Sequence, residues 1–140
     1  MTTKHQQREL WRERWLGSIN ELTSFELQNQ SWLDPANENP HWSFSEFMCC
    51  YFDDLAIDDD YEKELRDGYI SNDELRIILP WHRALDIYSP PESANNEAIL
   101  VDPAWQTIVA QGAEMKEQLK SFLNVHERHI LYQKIDHRGC

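Results

Sequence analysis

Ser43-Phe44-Ser45-Glu46-Phe47-Met48-Cys49-Cys50-Tyr51-Phe52-Asp53-Asp54-Leu55 places large apolar side chains at 44, 47, 48, 51, 52 and 55. Apolar residues three and four apart share one face of an α-helix, so this stretch reads as a helix with a wide aromatic stripe. A stripe of that width belongs in the middle of a core. Ser43 and Glu46 have the spacing of a capping box, which fixes where the helix starts.

Upstream, Asp34-Pro35-Ala36-Asn37-Glu38-Asn39-Pro40 combines two prolines with turn formers and reads as a loop. Before it, Trp11, Trp15, Ile19 and Leu22 predict an amphipathic helix from near His5 to about Leu22. Thr23 and Glu26 predict a capping box opening a second, short helix that ends near Trp32.

Downstream, a helix is predicted to begin near Asp60 and stop at Gly68, the residue type suited to a left-handed cap. Ser71 and Glu74 start the next, which carries Leu75, Ile78 and Leu79 and then meets Pro80, predicting a kink or a new helix over Trp81 to Tyr88. Ser89 to Asn96 reads as a second loop, and Asp102-Pro103 as an N-cap with proline at the first helical position. Trp105, Ile108, Val109, Gly112, Met115, Leu119, Phe122 and Leu123 form a long inward face. The pattern weakens after Asn124, leaving His129 to Gln133 open as a short helix or a strand.

With no sustained period-two alternation, the expected fold is all-α: an irregular single-domain bundle of five or six helices over residues 1–140, allowing a short C-terminal strand. Its core is expected around Phe44, Phe47, Met48, Tyr51, Phe52, Ile78, Leu79, Trp105, Ile108, Val109, Leu119 and Phe122.

The formal net charge is −12. Phosphates are repelled by such a chain and basic protein surfaces are attracted to it, which argues against nucleic acid as a partner. From Asp53 to Glu74 ten acids face only Lys63 and Arg66, a local balance of −8. A solvated helix face ordinarily mixes signs, because like charges one turn apart are destabilising. Asp53, Asp54, Asp58, Asp59, Asp60, Glu62 and Glu64 are therefore the candidate partner-binding residues. No run of 18 apolar residues occurs, and no apolar stretch follows Lys4, Arg8, Arg12 and Arg14, so neither a membrane span nor a signal peptide is expected and the cytoplasm is the expected location.

Catalytic motifs are sparse. Asp67-Gly68-Tyr69-Ile70-Ser71-Asn72-Asp73-Glu74-Leu75 resembles the second half of an EF-hand loop, but Lys63 and Leu65 stand where calcium needs oxygen donors, and two capped helices explain the same residues. His126 and His129 alone among the histidines share a helical spacing, too few ligands for zinc, so no metal or other cofactor is expected. Cys49 and Cys50 sit among carboxylates that disfavour a thiolate. Trp81-His82-Arg83 after Pro80 is the most active-site-like tripeptide, and with His41 and Trp42 it frames the alternative of a small enzyme or ligand-binding pocket.

Asn39-Pro40-His41-Trp42-Ser43-Phe44-Ser45-Glu46-Phe47 through Tyr51-Phe52-Asp53-Asp54-Leu55, together with the acidity of the whole chain, resembles the small acidic immunity proteins of bacterial polymorphic toxin and contact-dependent inhibition systems. The resemblance implies a protein that neutralises a basic, nuclease-type toxin domain by binding it, with no catalysis of its own. Charge complementarity would speed that encounter and block phosphate access.

Overall fold

A computed structural model describes residues 3–34, 36, 42–57, 60–91 and 95–135. Among these residues there are eight α-helices, α1 (Lys4–Leu22), α2 (Phe25–Trp32), α3 (Phe44–Cys49), α4 (Glu62–Arg66), α5 (Asn72–Ile87), α6 (Asn96–Leu100), α7 (Pro103–Leu119) and α8 (Val125–Tyr132), and no strand. The all-α expectation holds, while five or six helices is too few and the C-terminal strand is replaced by α8. Asn124 caps α8 in a reciprocal box with Glu127, a signal that weak apolar patterning obscures. A helix not expected at all, α6, begins at the end of the expected loop, capped by the Asn95 side chain.

α1 is the hub. It packs against α8, α2, α3 and α7, and its Trp15, Leu16, Ile19 and Leu22 are fully buried. α5 pairs with α7 on the other side. Trp81 of α5 lies against Gly112 of α7, where a methyl group added at Cα would lie 2.7 Å from Trp81 Nε1 and closer still to Thr23 Cγ2. The Trp81 indole donates to the Ile108 carbonyl at 3.2 Å.

Several local readings shift by a residue or a turn. Ser24, not Thr23, caps α2, accepting from the Leu27 amide at 3.2 Å, while the Thr23 hydroxyl donates back to the Ile19 carbonyl at 2.7 Å. α5 continues through Pro80 to Ile87 as one helix. Ser71 and Glu74 form the full capping box, and Gly68 has φ +79° at the end of the α4 turn. Of the expected core, Phe47, Tyr51, Ile78, Trp105, Ile108, Val109 and Leu119 are buried, Phe44, Met48, Phe52 and Leu79 are partly buried, and Phe122 is exposed. Phe122 lies in a 3-10 turn (Lys120–Phe122), whose tighter winding rotates it off the stripe that α7 began.

Buried polar groups tie the bundle together. The Arg12 guanidinium on α1 donates to both oxygens of Glu74 (2.6 and 3.1 Å), to Glu127 (2.7 Å) and to the Tyr69 carbonyl (2.8 Å). One cation thus fastens the first turns of α5 and α8 to the central helix, and the acids sit at helix N-termini, where negative charge is favoured.

Candidate functional site

α3 does not run on to Leu55 as a single α-helix: Cys50–Asp54 forms a π-helical turn. Phe47, Tyr51 and Leu55, four residues apart, are all buried. In a pure α-helix a four-residue repeat drifts by about 40° per step. The wider π turn rotates each residue less and returns the stripe to the core. Its outer side carries Asp53 and Asp54, both exposed.

Tyr51 anchors this turn from within. Its hydroxyl is 2.8 Å from Nδ1 of His82 on α5 and is hydrogen-bonded to the hydroxyl of Tyr61, which in turn accepts from Trp15 Nε1 of α1 at 3.0 Å. All four side chains are buried. Burial holds the Tyr51 hydroxyl well above its ordinary pKa, so it stays protonated and able to donate. Tyr61 itself adopts a left-handed backbone, φ 63°, which is uncommon for a non-glycine residue.

Four carboxylates act on the two thiols of this segment. Cys49 Sγ lies 3.5 Å from Asp53 Oδ2, and that hydrogen bond, then the slight burial and the charges of Asp53, Asp54 and Glu46, raise its pKa. Burial and then Asp54, with the charges of Glu21 and Glu46, push Cys50 up to about 12. Both thiols are held protonated, which removes the nucleophile from any cysteine chemistry here. Glu46, Asp53 and Asp54 are each exposed and lie three or four residues from a cysteine of the segment. Beside them opens a cleft of about 610 Å³, with Arg14, Glu21 and Asp54 at its polar side and Leu55 and Ile135 at its apolar side.

The other candidate residues are distributed differently. Asp58 and Asp59 lie outside the described residues, as do His41, His137 and Cys140. Asp60 is paired with Arg83 at 3.0 Å, and that hydrogen bond and charge lower its pKa. Glu62 is exposed on α4, whereas Glu64 is 3% exposed and turned into the protein. Glu74, counted in the acidic run, is likewise internal, on Arg12. The acidic segment therefore contributes both an outer face and an internal ion pair, a division that periodicity around a short helix does not reveal. Glu46, outside the acidic run, is exposed on α3 one to two turns ahead of Asp53 and Asp54, and Glu21 of α1 lines the same cleft as Asp54.

The residues of the alternative pocket diverge. His82 is 2% exposed within the tyrosine network, and the Arg83 side chain is 61% exposed. In the EF-hand-like stretch, Glu74 directs both oxygens at Arg12 and one at the Ser71 amide. Among the described residues no cluster of three or more His, Cys, Asp or Glu is placed to hold a metal, and no helix is long and apolar enough to cross a membrane.

Comparison with protein-family models, curated proteins and solved structures found no match to this chain.

Proposed function

We propose that this protein is a cytoplasmic binding module that neutralises a basic protein partner, a nuclease-type bacterial toxin domain, through the acidic face around the π turn. The observation that carries the reading is the exposure of Glu46, Asp53 and Asp54 along α3 and a π turn anchored to α1 and α5 through Tyr51, with Glu21 lining the adjoining cleft beside Asp54. A turn held in place from within loses little backbone freedom on binding, which favours affinity as well as rapid encounter. The adjoining cleft offers apolar surface for the stem of a partner lysine or arginine, with Asp54 for its charged end. The resemblance to immunity proteins supports the same class of partner. Asp58, Asp59 and Glu62 extend the face in sequence, and Asp60 contributes as the partner of Arg83.

The test is to capture the basic partner from the source cells and compare its association with wild type and with a Glu46→Gln, Asp53→Asn, Asp54→Asn variant. Association of the variant should be slower by roughly tenfold or more at low salt and lose most of its salt dependence, as expected of charges that act by steering. Equal rates for both proteins at every salt concentration would refute this face as the interface.

A further inference from the structure

Between α1, the start of α2 and the C-terminal end of α8 lies a cavity of about 340 Å³, within the size range of small-ligand sites. Lys116 of α7 lines it and is only 8% exposed. A buried ammonium ordinarily faces a carboxylate, because an unpaired buried charge is costly. Here the direct contacts of Lys116 Nζ are a neutral amide oxygen, Asn20 Oδ1 at 3.2 Å, and the Tyr132 ring at 4.7 Å. The neighbouring carboxylate, Glu117, instead accepts from Tyr132 (2.6 Å) and Lys120 (2.8 Å). An ammonium has three N–H donors, so two remain beyond the bond to Asn20.

The cavity walls add to this. Lys134 brings a second ammonium, and the Ser24 hydroxyl, which accepts from the Leu27 amide at 3.2 Å, still has its own proton to donate. One carboxylate, Glu26, also lines the cavity and accepts from Gln30 Nε2 at 3.3 Å. In a protein of net charge −12 this is a local concentration of hydrogen-bond donors and positive charge.

We propose that this cavity is a binding site for a small anion, a carboxylate or phosphate group received by the ammonium of Lys116 with Lys134 and Ser24 at its rim. Arrival of the anion supplies a negative group in direct contact with the ammonium, in addition to the more distant Glu117 charge. In keeping with that geometry, burial holds its pKa down at about 8, with the Glu117 charge opposing the shift.

The experiment is an NMR titration of lysine-labelled full-length protein with inorganic phosphate and, separately, with acetate at constant ionic strength. A saturable shift of the Lys116 ε-methylene resonance is expected, together with a rise of about one unit in its titration midpoint, equivalent to tenfold tighter binding to the charged amine. Saturation with phosphate alone assigns a phosphoryl group, and with acetate alone a carboxylate. Lys116→Met should weaken the response of Lys134 at least tenfold, whereas Lys120→Met should leave it intact. The proposal is overturned if neither anion moves Lys116 more than Lys4 and Lys63, or if Lys116→Met binds as wild type. Should that variant not fold, the wild-type titration decides the matter alone.

Discussion

Replacing Arg12 by methionine removes the cation that joins three parts of the bundle while retaining most of the apolar stem. Four donated bonds disappear, three to carboxylate oxygens of Glu74 and Glu127 and one to the Tyr69 carbonyl. Glu74 is left 3% exposed with no cation beside it. Removing one partner of a buried ion pair costs roughly 3–5 kcal/mol, because the remaining charge is desolvated and uncompensated. Against a total stability of about 5–15 kcal/mol that is a large fraction. At roughly 2–4 °C per kcal/mol for a chain of this size, Tm should fall by about 6–20 °C. The assay is urea unfolding followed by tryptophan fluorescence at pH 7. Adding Glu74→Gln and Glu127→Gln to Arg12→Met should recover part of the loss, leaving the cost of the Tyr69 carbonyl, about 1–3 kcal/mol. A loss below about 1 kcal/mol in the single variant, set against the 3–5 kcal/mol expected, would refute the assignment, as would no recovery in the triple variant. The pair also leaves a mark in acid. Burial pushes the Glu127 pKa up, but the hydrogen bond and charge of Arg12, with the Asn124 amide and Arg8, outweigh it and hold the group below 4.5. Its contribution is complete above the unfolded value and is lost as pH falls through the lower folded value. Arg12→Met should lose most of that acid limb.

Gly112→Ala should destabilise by roughly 1–2 kcal/mol in thermal unfolding: overpacking against Trp81 and Thr23 costs about 1–3 kcal/mol, and helix propensity returns at most about 1. A variant more stable than wild type would show that α5 and α7 do not meet at this glycine. Lys116 has a folded pKa near 8 against an ordinary 10.5, so the unfolded chain binds more protons in that window and stability should rise with pH across it. Lys116→Met should therefore be more stable than wild type at pH 7, by an amount of the order of 2 kcal/mol that shrinks towards pH 10.5, as measured by urea titrations at several pH values. A constant difference across that range would contradict the buried ammonium.

Local sequence was enough to specify the all-α class, the entry points of α3, α5 and α7 at Ser43, Ser71 and Asp102, and most of the aromatic core. These depend on neighbours within one helical turn, and the side chains that report them are the ones that form them. α6 and α8 escape a periodicity argument because each is short, at five and eight residues, and leaves too few turns for an apolar period to register. The central position of α1 is hidden for a different reason: Arg12, Ser18 and Asn20 are buried beside its apolar residues, which blurs the contrast between its faces. Whether a polar residue is buried depends on partners distant in the chain, and Arg12 meets Glu127 across 115 positions.

The candidate sites divide along the same line. Asp53 and Asp54 are legible as an acidic run, and their exposure follows from the aromatic stripe opposite them. The π turn, the placing of Glu21 beside Asp54, the withdrawal of Glu64 and Glu74, and the cavity at Lys116 all arise from packing between helices. A carboxylate or an ammonium looks the same in a sequence whether it faces water or an ion pair. Only packing fixes which of those surroundings it has, because the desolvation that changes its chemistry comes from helices the local sequence does not contain.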